Sequence, residues 1–292
     1  MRLTIPFLTL VLGTLCPLIL FAGQSAVPTA SALPEMAQFE SLGQDVVRNS
    51  RDLPLRLDNS QGHRSCTPLF LCIARNDLSG AKHFTPAASA LDALDTNSGA
   101  TALTWAVQTA TPSIVGWLLD LGANIEAPDG QRSTALATAA RNGRIHTARL
   151  LLDRGADPNR ATPLGIRPLQ LACGRDGSLE MVRLLVEHGA NPHLSDRNGW
   201  TPLAVAAKNG RTDVAVYLLE LGVHPDGAPS AAYSPLHWAC AEDKEQTAAL
   251  LVQRGANVNS LGPKGETPLS WCRSEPLRVL LAQAGAIPAS GE

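Results

Sequence analysis

Trp200-Thr201-Pro202-Leu203-Ala204-Val205-Ala206-Ala207-Lys208-Asn209-Gly210, running on through Val214, Tyr217-Leu218-Leu219 and Leu221-Gly222, is one copy of a unit that recurs along the chain. The Leu of its Thr-Pro-Leu core stands at Leu69, Leu103, Leu136, Leu169, Leu203, Leu236 and Leu269, at intervals of 34, 33, 33, 34, 33 and 33 residues. A second marker keeps the same beat at Gly122-Ala123, Gly155-Ala156, Gly189-Ala190, Gly222-Val223, Gly255-Ala256 and Gly285-Ala286. A fixed period of this length is the mark of a stacked array.

The unit reads physically as two helices and a turn. Thr201 can cap orphan amides, and Pro202 suits a first helical position, where its missing N–H costs nothing. Leu203, Ala206 and Ala207 make an apolar face of small residues that lets a neighbouring helix come close. Asn209-Gly210 breaks that helix. Val214, Tyr217, Leu218 and Leu221 then fall at helical spacing on a second one, and Gly222 ends it with a residue that tolerates a left-handed backbone. Asp196-Arg197-Asn198-Gly199 supplies turn residues for a hairpin between units. Neither helix can bury its apolar face alone, so the units must stack.

These features resemble the ankyrin repeat, whose signature is a 33-residue unit with Thr-Pro-Leu-His-x-Ala. The copies nearest to it are Thr201-Pro202-Leu203-Ala204-Val205-Ala206, Ser234-Pro235-Leu236-His237-Trp238-Ala239 and Thr267-Pro268-Leu269-Ser270-Trp271-Cys272. The resemblance implies an all-α ankyrin-repeat solenoid of six to seven helix-turn-helix units with hairpin loops, over residues 65–288.

Residues 1–32 stand apart from the array. Arg2 is the only charge before Glu35, residues 3–22 are almost wholly apolar, and Ala30-Ser31-Ala32 is a candidate cleavage motif. This reads as a secretory signal peptide; the competing reading is an uncleaved membrane anchor. A short export signal on a compact array points to the bacterial periplasm, with an array anchored to the inner membrane as the alternative. Residues 33–64 read as an N-terminal capping helix and loop, with Met36, Phe39, Leu42 and Val46 at helical spacing, and residues 289–292 as a tail. The first unit loses its pattern after Asp77-Leu78-Ser79-Gly80. The linker at residues 227–232 is rich in Gly, Ala, Pro and Ser and is expected to be loose, and the last unit is shortened, with its second helix expected over residues 276–284.

Composition narrows the partners. Charged residues make up 17% of the chain and the net charge is −2, which argues against nucleic acid, whose binding needs a basic face. Cys72, Cys173, Cys240 and Cys272 replace alanines of other units, where Cys serves as a small hydrophobe. Equivalent positions of stacked helices lie about 8–10 Å apart, so bridges between them are not expected. Cys66 and Cys72 are the candidate disulfide, separated only by a turn and the first helical turn. No Cys/His spacing matches a zinc site. His63, His83, His146, His188, His193, His224 and His237 lack an acid or thiol at catalytic spacing. His237 holds the family's own His position, which ties turn to helix. No catalytic, cofactor or metal site is therefore expected.

Two slots carry bulky residues. Two positions after the repeat Leu come Leu71, Trp105, Thr138, Leu171, Val205, Trp238 and Trp271, read as core between units. Just before the Thr-Pro-Leu core come Cys66, Ala100, Ser133, Ile166, Trp200, Tyr233 and Glu266. The resemblance places this second slot on hairpin fingers facing a concave groove. Ile166, Trp200 and Tyr233 would then form an exposed apolar stripe, or Trp200 and Tyr233 would simply pack together. Around it the family's contact positions carry Arg197, Asn198 and Lys264 on the fingers, with Glu266, and Arg141, Lys208 and Glu242 at the ends of first helices. Trp, Tyr and Arg are the types enriched at binding hot spots.

The expectation is a non-enzymatic, monomeric, exported module that binds another protein in its groove, with no nucleic acid and a membrane only if the leader persists. An immunity or inhibitor protein neutralising a toxin or enzyme in the periplasm is the sharper variant. A scaffold with many weak partners, and an enzyme or cofactor binder using the irregular residues 1–95, are the other readings.

Overall fold

The structure is a computed structural model and describes residues 67–83, 91–95, 99–174 and 178–287. Fourteen helices lie among the described residues, and they form seven pairs. The pairs are α1 (Thr67–Ala74) with α2 (Leu78–Lys82), α3 (Ala102–Thr109) with α4 (Pro112–Asp120), α5 (Ala135–Arg141) with α6 (Ile145–Asp153), and α7 (Pro168–Ala172) with α8 (Leu179–Glu187). Then follow α9 (Pro202–Asn209) with α10 (Thr212–Glu220), α11 (Pro235–Ala241) with α12 (Glu245–Gln253), and α13 (Pro268–Trp271) with α14 (Glu275–Gln283). The expected leader, capping helix, tail and Cys66 lie outside the described residues. Among the described residues no helix is long and apolar enough to cross a membrane.

Helix starts follow the capping chemistry. Thr201 accepts the Ala204 N–H at 3.1 Å, Thr101 the Thr104 N–H at 3.1 Å, and Thr267 the Ser270 N–H at 3.4 Å. Each satisfies a donor that the helix itself cannot. The fourth unit has Arg167 where a capping hydroxyl would stand. There Gln170 Oε1 accepts the Arg167 N–H at 2.8 Å, and the guanidinium donates to the carbonyls of Gly165 and Ser195.

The first helices of consecutive units pack on one another, and from the second unit onward the second helices do the same, giving two layers. The inner contacts are made by Ala139, Ala140, Ala172, Cys173, Ala206, Ala207, Ala239 and Cys240, all fully buried. Small side chains there allow backbones to approach. Leu151, Leu185, Leu218 and Leu251 fill the matching slot of the second layer. Burying each such Leu is worth about 1.5–3 kcal/mol, and one continuous core results, from Leu69 to Leu281.

Second helices end on the expected glycines. At Gly222 φ is +81°, and the Val223 N–H returns to the Leu218 carbonyl at 3.2 Å. The hairpins that follow are closed by side chains: Asp196 Oδ1 accepts the N–H groups of Asn198 and Trp200, both at 2.9 Å. The linker at residues 227–232 forms two hydrogen-bonded turns, and Ala231 abuts Gly199 so closely that a Cβ on Gly199 would lie 2.5 Å from the Ala231 Cα. That packing accounts for a segment expected to be loose. In the first unit α2 is cut to five residues, and α14 begins one residue before the expected start.

Candidate functional site

Trp200 and Tyr233 sit at the base of successive hairpins, each half-buried against the first helices. Trp200 lies over Trp238, with ring centroids 4.3 Å apart and planes tilted by 33°. Tyr233 lies over Trp271 at 4.5 Å and meets Trp238 edge-on at 5.8 Å. The hairpin residue of one unit thus covers the residue two places after the repeat Leu in the next. Trp238 and Trp271 are 5% and 6% exposed, so they form a floor, while Trp200 and Tyr233 are its partly open upper layer.

Between them is a small cleft lined by Asn198, Gly199, Trp200, Ala204, Ala231, Ala232, Tyr233 and Trp238. Its volume of about 30 Å³ suits a water or the tip of one side chain. Small-molecule sites run to about 300–1,000 Å³.

The expected stripe of three apolar anchors is corrected at its first member. Ile166 is 6% exposed and packs in a cluster with Ala137 and Leu171. Its branched side chain fits wholly beneath the hairpin, where the rings of Trp200 and Tyr233 are too large to be fully covered. Trp200 and Tyr233 themselves are not bare either, since each has one face occupied by a tryptophan of the following unit.

Glu266 closes the aromatic row. Its carboxylate accepts the Lys264 N–H at 2.8 Å and faces the Tyr233 hydroxyl at 3.4 Å. Burial pushes its pKa up, but the backbone N–H bonds from its own amide and Lys264, the Tyr233 hydroxyl and the Lys264 charge outweigh this and hold it below the ordinary value. Burial first, and the Glu266 charge second, raise the Tyr233 pKa. Glu266 therefore organises its own turn as an anion. His237 is fully buried below it, with Nε2 at 3.2 Å from the Glu266 carbonyl and Nδ1 at 2.9 Å from the Ser234 hydroxyl.

The remaining candidates form a polar margin. Arg197, Asn198 and Lys264 are exposed on the hairpins. Arg141, Lys208 and Glu242 are half-buried at the ends of α5, α9 and α11. Burial lowers the Arg141 pKa against the opposing charge of Asp129, and burial raises that of Asp129 despite the N–H bonds it accepts from Ser133 and Gln131. The structure does not gather these side chains at one point; they are spread over units three to seven.

Residues that carry chemistry elsewhere are dispersed. Among the described residues no group of three His, Cys, Asp or Glu side chains is arranged to hold a metal. His188 Nδ1 contacts the Leu184 carbonyl at 2.8 Å, and His224 Nδ1 accepts the Asp226 N–H at 3.2 Å. Cys72, Cys173, Cys240 and Cys272 are free thiols. Two features escaped sequence reasoning. Ser133 and Thr138, 1% and 2% exposed, have hydroxyl oxygens without a hydrogen-bond partner. The Cys240 and Cys272 thiols, in adjacent units, shift each other's ionisation, Cys240 upwards and Cys272 downwards.

A family model of ankyrin repeats in three copies matches residues 69–162 and 136–228, and a single ankyrin repeat matches residues 233–262. Cyclin-dependent kinase 4 inhibitor B of Mus musculus is 48% identical over 42 residues, 14% of this chain and 32% of that protein. The Rattus norvegicus protein of the same name is also 48% identical over 42 residues. The chain thus spans about a third (32%) of the length of these curated relatives. Among solved structures, the ankyrin repeat domain of Bcl-3, a member of the IkappaB protein family, superposes with a TM-score of 0.62 at 27% identity, over 74% of this chain and 97% of that one.

Proposed function

The chain belongs to the ankyrin-repeat family, and from that premise we propose that it is a non-enzymatic module that binds another protein across its hairpins and first helices. The observation that carries this reading is the row Trp200–Trp238–Tyr233–Trp271. A rigid stack offers two partly open aromatic rings on a buried aromatic floor, beside the exposed Arg197, Asn198 and Lys264. Anchors of this kind, surrounded by polar residues, are where binding energy concentrates. A cleft too small for a ligand favours a side chain from a partner. The names of the similar proteins support the same class, since one is a kinase inhibitor.

We place the protein outside the cytoplasm on the apolar residues 3–22 and the small residues that follow. The mass of the mature N-terminus tests whether that segment is removed.

The binding test is affinity capture from the native compartment with three baits: wild type, Arg197→Glu and Trp200→Ala/Tyr233→Ala. Arg197 is exposed, so its variant reads binding without a folding defect. Loss of the same partner from both variants supports the reading. A partner retained at wild-type level by both, with the double variant folded, rules this face out.

A further inference from the structure

Charge is divided between the two sets of helices. Within the seven first helices described, Arg141 and Lys208 are the only Asp, Glu, Lys or Arg side chains, and both are positive. The seven second helices carry eight acidic side chains, among them Asp120, Asp153, Glu187 and Glu220, against four basic ones. The hairpins fold over the first helices, since Trp200 lies on Trp238 of α11 and Tyr233 on Trp271 of α13. A chain of net charge −2 thus turns a positive layer towards its aromatic face.

The hairpins of units three and five carry the pattern on. Arg132 and Arg197 are exposed at their tips. Asp129 and Asp196 are buried, and their Oδ1 atoms are taken up by the N–H groups of Gln131 and Ser133, and of Asn198 and Trp200. Arg141 and Lys208 hold one slot, five residues after Leu136 and Leu203. Helical side chains lean towards the N-terminus, so both run back along α5 and α9 towards those hairpins. Beyond unit five the sign changes: Glu242 ends α11, and Glu266 closes the aromatic row.

Arg141 is half-buried, and its guanidinium makes no hydrogen bond or ion pair among the described residues; its Nε is fully enclosed without an acceptor. Arg167, in the next unit, instead donates to the Gly165 and Ser195 carbonyls. Burying a cation without a partner is costly, and an incoming carboxylate would remove that cost.

We propose that units three to five bind an acidic segment of the protein partner, one carboxylate meeting Arg141 and another Lys208, while an adjoining apolar side chain takes the open faces of Trp200 and Tyr233. The guanidinium can hold a carboxylate through two parallel bonds and fixes geometry, whereas the ammonium acts as a point charge. The two cations stand two units apart, about 16–20 Å. An extended segment rises about 3.3 Å per residue, so its matching acids lie about five or six residues apart. Two cations set among buried acids are too few for the run of phosphate contacts that nucleic acid needs. The inference rests on the reading of this face as a protein-binding surface and adds the charge of what binds.

The test uses the full chain as bait for random peptides displayed on phage, about twelve residues long and so able to span three units when extended. The baits are wild type, Arg141→Gln/Lys208→Gln, Arg141→Lys/Lys208→Arg and Trp200→Ala/Tyr233→Ala. Gln already fills this slot at Gln108. Wild type should enrich peptides with two acidic residues at that spacing, and the charge-keeping variant should retain them. The Gln variant should bind them about tenfold or more weakly, and about 0.5 M salt should weaken them on wild type.

Enriched peptides without acidic residues, or no enrichment at all, overturn the proposal. So do acidic peptides that bind the folded Gln variant as tightly as wild type, and single-stranded DNA that binds wild type as tightly as the best of them. If the Gln variant fails to fold, the charge-keeping variant and the salt response decide. Acidic peptides held at full strength by the Trp200/Tyr233 variant would keep the acid site and remove the aromatic face. Apolar peptides lost from that variant alone would keep the aromatic face and remove the acid site.

Discussion

His237 joins two repeats through the carbonyl of Glu266: its Nε2 lies 3.2 Å from that oxygen, while Nδ1 lies 3.2 Å from the Ser234 nitrogen. A neutral ring with its proton on Nε2 satisfies both bonds, donating to the carbonyl and accepting the backbone N–H. A protonated ring would set an N–H against an N–H. Burial lowers the His237 pKa, in spite of the Glu266 carbonyl and the charges of Glu266 and Asp226, which act to raise it. Because the unfolded chain titrates near the ordinary value of about 6.5, it takes up the proton first. The stability His237 provides is present above that pH and is lost as pH falls from it towards the lower folded value. Urea midpoints between about pH 7.5 and 5.5 should therefore converge for wild type and His237→Gln as pH falls. Parallel curves would show that His237 is not held neutral.

Trp200 has two roles that one substitution confounds. Its ring covers Trp238 at 4.3 Å, and such pairs add about 0.5–1.5 kcal/mol beyond area burial. Trp200→Ala should therefore destabilise the array by about 2–3 kcal/mol, whereas Arg197→Ala, on the exposed tip, should stay within about 0.5 kcal/mol. Chemical unfolding separates the two. A Trp200→Ala protein as stable as wild type would mean that the ring is free for a partner.

Glycines with the same backbone sign should respond differently. Gly222 has φ +81° with nothing within 4 Å of an added Cβ, and Gly199 has φ +80° with the Ala231 Cα 2.5 Å away. Gly222→Ala should cost only the left-handed strain, about 1–2 kcal/mol. Gly199→Ala must also push two hairpins apart and should cost clearly more, about 3 kcal/mol or above. Equal losses in thermal unfolding would contradict the close approach.

Thr138 invites a stabilising change. Its hydroxyl oxygen is buried with no partner, and Val205 fills the same slot two units later. Leaving such a group unpaired costs about 1–3 kcal/mol, and Val has nearly the same shape. Thr138→Val should raise stability by about 1 kcal/mol, read from the urea midpoint. A loss would show that the hydroxyl is satisfied in solution.

Local signals were legible because they act within a few residues. A capping Thr201, the proline after it and a glycine at Gly222 set helix ends whatever lies around them. Slots were legible too, since stacking repeats the same environment. Exposure within a slot was not. Ile166 and Trp200 hold the same position, yet one is buried against Ala137 and Leu171 and the other is half-open over Trp238. What covers a hairpin residue belongs partly to a neighbouring repeat, and its size decides how much remains free.

The sequence by itself determined the period, the paired helices, the turns and the need to stack, because each follows from local propensity and from apolar faces that no single repeat can bury. The tertiary structure decided which side chains meet. It laid Trp200 on Trp238 and Tyr233 on Trp271, and sank Ile166. These contacts join non-equivalent positions of neighbouring repeats. They depend on the offset between stacked units, which is not written in any one repeat.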